Sequence, residues 1–228
     1  MDFWASVAEG ATVLAADASM ARGLRQRYGE RQQAAGRTAW ETPAIVPWET
    51  WVRENFVWEG RRGMVLSPEQ ELLLWEEAIG DHSALLDRRG TARSAAEAWR
   101  RVRAWRLPET GTDWGESDDT AAFHAWAQAF RSRCEKRGWL TAAELPDAVI
   151  AGFHERRVPA PKQVWLAGFE RISPQLEALV NALRGAGAAV SAMPLPEPVE
   201  GFTVWQAADY DQELRRAAQW AKEQTGTV

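Results

Sequence analysis

Thr12-Val13-Leu14-Ala15-Ala16-Asp17-Ala18-Ser19-Met20 is the stretch on which the fold turns. Residues 12–16 are apolar and bounded by Gly10 and Asp17, the signature of a short buried strand. Asp17 is placed to cap a helix beginning near Ala18, because its carboxylate can accept from the first unpaired N–H groups. Met20, Leu24 and Tyr28 recur at i, i+4 and i+8 and define that helix's apolar stripe, with Gly36 helping to end it. A strand followed at once by a helix is the opening of an α/β unit.

The same alternation appears elsewhere in the chain. Ala44-Ile45-Val46 is a second short strand candidate, confined by Pro43 and Pro47. After Pro159-Ala160-Pro161, residues 164–169 (Val-Trp-Leu-Ala-Gly-Phe) form a third, and Ser173-Pro174 starts a helix carrying Leu176, Leu179, Val180 and Leu183. Residues 188–193 and 202–207 read as further strands, and Asp209 or Asp211 caps a last helix. Between 51 and 158 the pattern is helical throughout, with no strand signal. Ser67-Pro68-Glu69-Gln70 opens one helix with a capping box, burying Leu72, Trp75 and Ile79. A second, 92–105, sets Ala92, Ala95, Trp99 and Val102 on one face. A third, 118–136, buries Phe123, Trp126, Ala127, Phe130 and Cys134, with Asp118-Asp119 as its cap. A fourth opens at Thr141-Ala142-Ala143-Glu144 and runs to about His154. The expected architecture is α/β: a mostly parallel sheet built from 1–50 plus 159–228, with a large all-helical insertion at 51–158.

The first strand–helix turn is where a phosphate loop would sit in such a fold. That loop needs glycines, so that backbone N–H groups can cradle phosphate, with a lysine and a Ser or Thr. Asp17 and Ser19 occupy the turn instead, with neither glycine nor lysine, and Asp17 sets a negative charge where phosphate would go. An acid that holds Mg²⁺ would be expected at the end of the 164–166 strand, where Ala167 stands; Glu170, three residues on, reads as a solvated turn residue. The layout is that of a nucleotide hydrolase without its chemistry. No catalytic residue, metal site or cofactor is expected. Three scattered histidines and a single cysteine, Cys134, offer no zinc spacing, and Cys134 reads as a core thiol.

Composition narrows the partners. The chain has 228 residues and a net charge of −5, which argues against a globally basic nucleic-acid binder but not against a local patch. Of its basic residues only Lys136, Lys162 and Lys222 are lysines; the rest are arginines. Arg88, Arg89, Arg93, Arg100, Arg101, Arg103 and Arg106 form the strongest basic cluster, against Asp87 and Glu97 alone. Arg22 and Arg25 of the first helix, with Arg27, rank next. The 14 tryptophans read first as large core residues and second as stacking platforms for bases. No apolar run approaches the roughly 18 residues of a membrane span, and no signal peptide opens the chain. With one cysteine, the expectation is a cytoplasmic chain with no membrane partner.

Three segments carry a resemblance. Residues 12–24 (Thr-Val-Leu-Ala-Ala-Asp-Ala-Ser-Met-Ala-Arg-Gly-Leu) resemble the opening of a bacterial group of DNA repair proteins. That group is related to the B subunit of the AddAB helicase–nuclease and to the RecBCD family. Its strand leads into an Asn-Arg-Arg-Leu-Ala-Arg-like helix, where Ala18-Ser19-Met20-Ala21-Arg22 stands here. Residues 42–51 (Thr-Pro-Ala-Ile-Val-Pro-Trp-Glu-Thr-Trp) resemble the group's Pro-x-Ile-x-Pro-x-x-x-Trp stretch. Residues 164–175, ending Phe169-Glu170-Arg171-Ile172-Ser173-Pro174-Gln175, resemble its Asp-Gly-Phe-x-x-Phe-Thr-Pro-Gln segment, with Ala167 at the aspartate.

The resemblance implies a RecA-like, degenerate P-loop NTPase-like first domain with a helical insertion, from the N-terminal part of a longer protein. Such a protein would carry its PD-(D/E)XK nuclease near the C-terminus, and no position here matches that nuclease. The implied role is non-catalytic: scaffolding and DNA binding in repair and recombination. The partners would be DNA and the parent's remaining domains or a helicase–nuclease subunit. Two other readings stand beside it: a protein-interaction module docking on other domains or a partner subunit, and an atypical nucleotide-binding enzyme.

Overall fold

The computed structural model describes residues 2–56, 64–80, 87–108, 117–194 and 204–225. Residues 1–193 and 194–228 form two compact units.

In the first unit, four strands make one parallel sheet: β1 (Thr12–Ala15), β2 (Ile45–Pro47), β5 (Gln163–Ala167) and β6 (Ala189–Ala192). Their order is β2-β1-β5-β6. The mostly parallel α/β sheet expected from the alternation is therefore present. Val13 pairs with Ile45 on one side and Trp165 on the other, and Ala15 with Pro47 and Ala167. Successive side chains of a strand point to opposite faces. Val13, Ala15, Ile45, Trp165 and Ala167 accordingly pack with α1 (Phe3–Ala8) and α2 (Ala18–Ala34). Leu14, Val164 and Leu166 face α3 (Trp48–Asn55), α7 (Leu145–His154) and α8 (Pro174–Gly185). Both faces of β1 and β5 are covered, which is why these strands read as apolar runs rather than as an alternation.

The remaining helices gather around a separate core. They are α4 (Pro68–Ile79), α5 (Arg88–Ala104) and α6 (Asp118–Arg137). Trp75, fully buried, stacks on Phe130 with ring centroids 4.1 Å apart, and Trp99 meets both rings edge-on. Alanines 92, 95 and 96 let α5 approach closely. Local signals set these helices. Ser67 and Gln70 form the expected capping box, Pro68 sits at the first helical position, and Gly138 ends α6 in the left-handed region.

Several expectations are corrected. Residues 51–158 contain two strands, β3 (Met64–Val65) and β4 (Trp139–Leu140), paired in parallel. Strands of two residues carry no readable period, and their partners lie far apart in sequence. Helix α1 was not expected; Asp2 caps it by accepting from Ala5 N at 2.8 Å. The cap of α6 is Ser117, boxed with Thr120, while Asp118 and Asp119 lie in its first turn. Thr141 and Glu144 do bond to each other, but as a turn; α7 begins only at Leu145. In α2 the expected stripe holds, with Leu24 and Tyr28 buried and Met20 packed partly buried against the same core, and Ala21 and Gln32 are buried as well.

In the second unit, α9 (Tyr210–Thr225) is capped by Asp209, which accepts from Gln212 N at 2.7 Å. Residues 204–207 form no strand, and 202–203 lie outside the described residues. An apolar alternation without a hydrogen-bonded neighbour does not make a strand. Among the described residues no helix is long and apolar enough to cross a membrane.

Candidate nucleic-acid interface

The sheet's strand order reverses between β1 and β5, and a ligand in an open parallel sheet binds outside the carboxyl ends at such a point. Asp17 and Ala167 lie there, and Ser19 stands in the exposed first turn of α2. Ala16 N donates to Ala167 O at 2.9 Å, so the turn into α2 leaves from beside Ala167. The place is filled by the chain's own groups. Asp17 Oδ1 accepts from Met20 N at 2.8 Å, and Asp17 O from Ala21 N at 3.1 Å. Gly168 has φ +77°, and a Cβ there would come within 2.7 Å of Met20 Cε. Helix α2 thus points its N-terminus at its own carboxylate, and a methionine lies over the crevice. Glu170 is exposed.

The arginine cluster sits on α5 and just beyond it. Asp87 caps the helix by accepting from Gly90 N at 2.8 Å. Ala92, Ala95, Ala96, Trp99 and Val102 turn inward, so the 3.6-residue period forces most arginines outward. Arg88, Arg89, Arg93, Arg100 and Arg101 are exposed. Positions 89, 93 and 100 fall within about 40° of one another around the axis, spread over roughly 16 Å of helix. Arg89 Nε is 3.9 Å from Glu76 Oε1, with the arginine 71% exposed, a pair worth little. Trp105, at the C-cap and 43% exposed, places an aromatic ring beside Arg101 and Arg106. Arg22 and Arg25 on α2 are exposed as well.

The structure divides the cluster. Arg103 and Arg106 turn back onto Asp147 of α7, at 3.0 and 3.2 Å. Gln175, almost fully buried at the start of α8, donates to Asp147 Oδ2 at 3.0 Å and to Ala143 O at 2.9 Å. Arg103 also lies 5.7 Å over the Trp99 ring. Asp147, Gln175 and these two arginines tie α5 to the helices that cover the sheet. Sequence reasoning named neither Asp147 nor Gln175 as a site, because their partners are 28 to 44 residues distant.

A cavity of about 420 Å³ opens next to this junction, lined in part by Trp48, Arg53, Glu71, Arg100 and Gln175. Glu71 is 3% exposed and its Oε1 has no hydrogen-bond partner. Burial pushes its carboxyl above the ordinary value of 4.5. The Arg100 charge opposes the rise, the neighbouring Trp75 indole does so too, and Glu144 adds to it. The indole N–H lies near the carboxylate without reaching hydrogen-bonding geometry.

The other candidates resolve simply. Cys134 is buried in the α4–α5–α6 core. Desolvation, then the charges of Glu144, Glu71 and Glu135, push its thiol up to about 12, so it stays protonated and unreactive at neutral pH. Trp51, Trp75, Trp99 and Trp165 are core residues, whereas Trp40, Trp105, Trp205 and Trp220 are exposed; Trp58 and Trp114 lie outside the described residues. His124 lies 3.3 Å from Gln128 Nε2 along α6, and His82 is outside the described residues. Among the described residues no three His, Cys, Asp or Glu side chains gather as a metal site.

Compared with known proteins, the chain matches no protein-family model and no curated protein.

Proposed function

We propose that this chain is a non-catalytic, helicase-like domain of a DNA repair or recombination nuclease, related to AddB-type subunits, which holds DNA phosphates on α5. In this reading the sheet is a RecA-like scaffold and 51–158 is a helical insertion that carries the contact surface. The observation that carries it is the exposed row Arg89, Arg93 and Arg100, with Arg101 and Trp105 exposed on an adjoining face at the end of the helix. Guanidinium groups bind phosphate oxygens as planar donor forks, and an adjacent exposed ring offers a base a stacking surface. The filled crevice at Asp17, Met20 and Gly168 supports a scaffold role over nucleotide chemistry and weighs against an atypical nucleotide-binding enzyme.

The test is fluorescence anisotropy of labelled single- and double-stranded DNA at 50 and 200 mM salt. Each phosphate contact on a duplex contributes about 0.9 to the slope of log affinity against log salt. The triple variant Arg93→Glu, Arg100→Glu, Arg101→Glu is expected to flatten that slope by about 2 to 3. An unchanged slope would remove α5 as the contact.

A second reading, a docking module for other domains of a parent chain or for a partner subunit, is favoured by exposed apolar side chains on α4 and just past the end of α5. Leu73 is 59% exposed, Leu107 46% and Trp105 43%. Absence of DNA binding by the intact chain, together with loss of partner binding in Leu73→Ser, would select it.

A further inference from the structure

This inference rests on the DNA-holding reading and concerns Arg103 and Arg106, the two arginines paired with Asp147. Arg103 Nη2 donates to Asp147 Oδ2 at 3.0 Å and Arg106 Nη2 to Asp147 Oδ1 at 3.2 Å. Each carboxylate oxygen therefore takes one guanidinium. Arg106 is held there by unusual backbone. Its φ is +50°, in the left-handed region that side chains other than glycine seldom enter. Arg106 N donates to Arg103 O at 3.2 Å and Leu107 N to Val102 O at 3.0 Å, the double closure that ends a helix at a left-handed residue. Glycine is the ordinary occupant of that position; here an arginine is seated in it, and the turn delivers its side chain to Asp147.

The arrangement has the form of an oxyanion site. Two guanidinium groups converge on adjacent oxygens of one anion, the geometry in which arginines take phosphate. A recess of about 350 Å³, lined by Val102, Arg103, Arg106, Leu107 and Asp147, surrounds it. The arginines are 25% and 50% exposed and the carboxylate 33%, so the pair is wet and reachable rather than sealed. Ion pairs of such exposure contribute little to stability, so neutralising Asp147 is expected to free the arginines without unfolding the chain. Gln175 holds the carboxylate from the other side, at 3.0 Å from Oδ2.

We infer that Asp147 is an internal stand-in for phosphate, which withholds Arg103 and Arg106 from nucleic acid as long as its charge is in place. With that charge removed, Arg103 and Arg106 join the exposed arginines of α5. Asp147 is a positioning residue in this scheme, acting through the two arginines and not by touching DNA.

The experiment uses the full chain and a labelled 20-base-pair duplex, titrated by anisotropy between 50 and 200 mM salt. Asp147→Asn keeps the side chain's shape and an acceptor oxygen for Gln175 while removing the charge. Its salt slope is expected to steepen by about 0.9 to 1.8, one or two added phosphate contacts. Across that salt range its affinity then falls by a further 3- to 12-fold or so relative to the parent chain. Arg106→Ala alone leaves the parent slope unchanged, but placed on Asp147→Asn it removes about 0.9 of the gain. A purely structural role for Asp147 would lower the melting temperature without adding phosphate contacts. An Asp147→Asn slope equal to the parent's overturns the inference. So does a slope loss of about 0.9 in Arg106→Ala alone, which decides the matter even if the Asp147 variant does not fold. A flat Asp147→Asn with the Arg93/Arg100/Arg101 variant still losing DNA refutes the role of Asp147 alone. No DNA binding by parent or variant refutes both readings.

Discussion

The carboxyl end of the sheet and the outer surface of α5 are opposites within one chain. The first has the layout of a binding place and none of the chemistry: a strand-order reversal, a helix N-terminus and a left-handed glycine, all occupied by Asp17 and Met20. The second has charge and no such layout: an arginine-rich helix whose alanines and Trp99 are buried while most of its arginines turn outward. The layout of a binding place and the densest positive charge thus lie apart in one chain. Architecture rests on apolar periodicity and caps; binding rests on a handful of polar side chains. The two can be lost or gained separately.

The sharpest way to break this comparison is to remove the core that displays α5. Trp75→Ala deletes a fully buried ring stacked on Phe130 and is expected to cost about 3–5 kcal/mol. Chemical denaturation followed by far-UV and near-UV circular dichroism would measure it. If the helical core and the sheet are energetically distinct, the two probes separate in this variant; coincident transitions would show that the Asp147–Arg103–Gln175 junction binds them into one cooperative body.

Glu71→Gln sharpens the contrast by a smaller amount and in the opposite direction. The buried acid's carboxyl is raised by desolvation, so the folded chain keeps a proton that the unfolded chain has released. Stability from this group is therefore full below the ordinary value of 4.5 and is lost as pH rises through the elevated folded value. Glutamine removes the ionisation and is expected to stabilise the chain at pH 7 by about 1–2 kcal/mol, flattening the decline above pH 4.5. Melting temperatures between pH 4 and pH 8 would show it; a parallel pair of curves would mean that the carboxyl is solvated after all.

The smallest effect belongs to the sheet's end. Asp17→Ala is expected to cost about 1 kcal/mol through loss of the cap on α2. It should bring no ATP–Mg²⁺ binding by calorimetry, since Met20 still covers Gly168 and no glycine-rich cradle replaces the turn. Measurable heat at millimolar nucleotide would return the crevice to functional status.

Much of the architecture could be read from residues 12–47, 67–105 and 163–192, because caps, alternation and helical stripes act over a few residues. Asp17, Ser67 and Ser173 cap the helices they precede. The apolar runs at 12–16 and 164–169 contain the neighbouring strands Thr12–Ala15 and, from one residue earlier, Gln163–Ala167. The arginine cluster was equally visible, since charge needs no fold to be counted. Its division was not: whether Arg103 and Arg106 face solvent or Asp147 depends on how α7 lies against α5.

The sequence by itself therefore determined most of the longer elements, the caps of α2, α4 and α8, the parallel α/β character and the missing phosphate loop, all of them consequences of short-range chemistry. Only the tertiary structure decided that Met20 covers Gly168, that Glu71 is buried without a full set of partners, that β3 finds β4, and that Asp147 gathers Arg103, Arg106 and Gln175. Each of these joins residues distant along the chain. Such contacts form only where packing brings two surfaces together, and no local pattern encodes which surfaces those are.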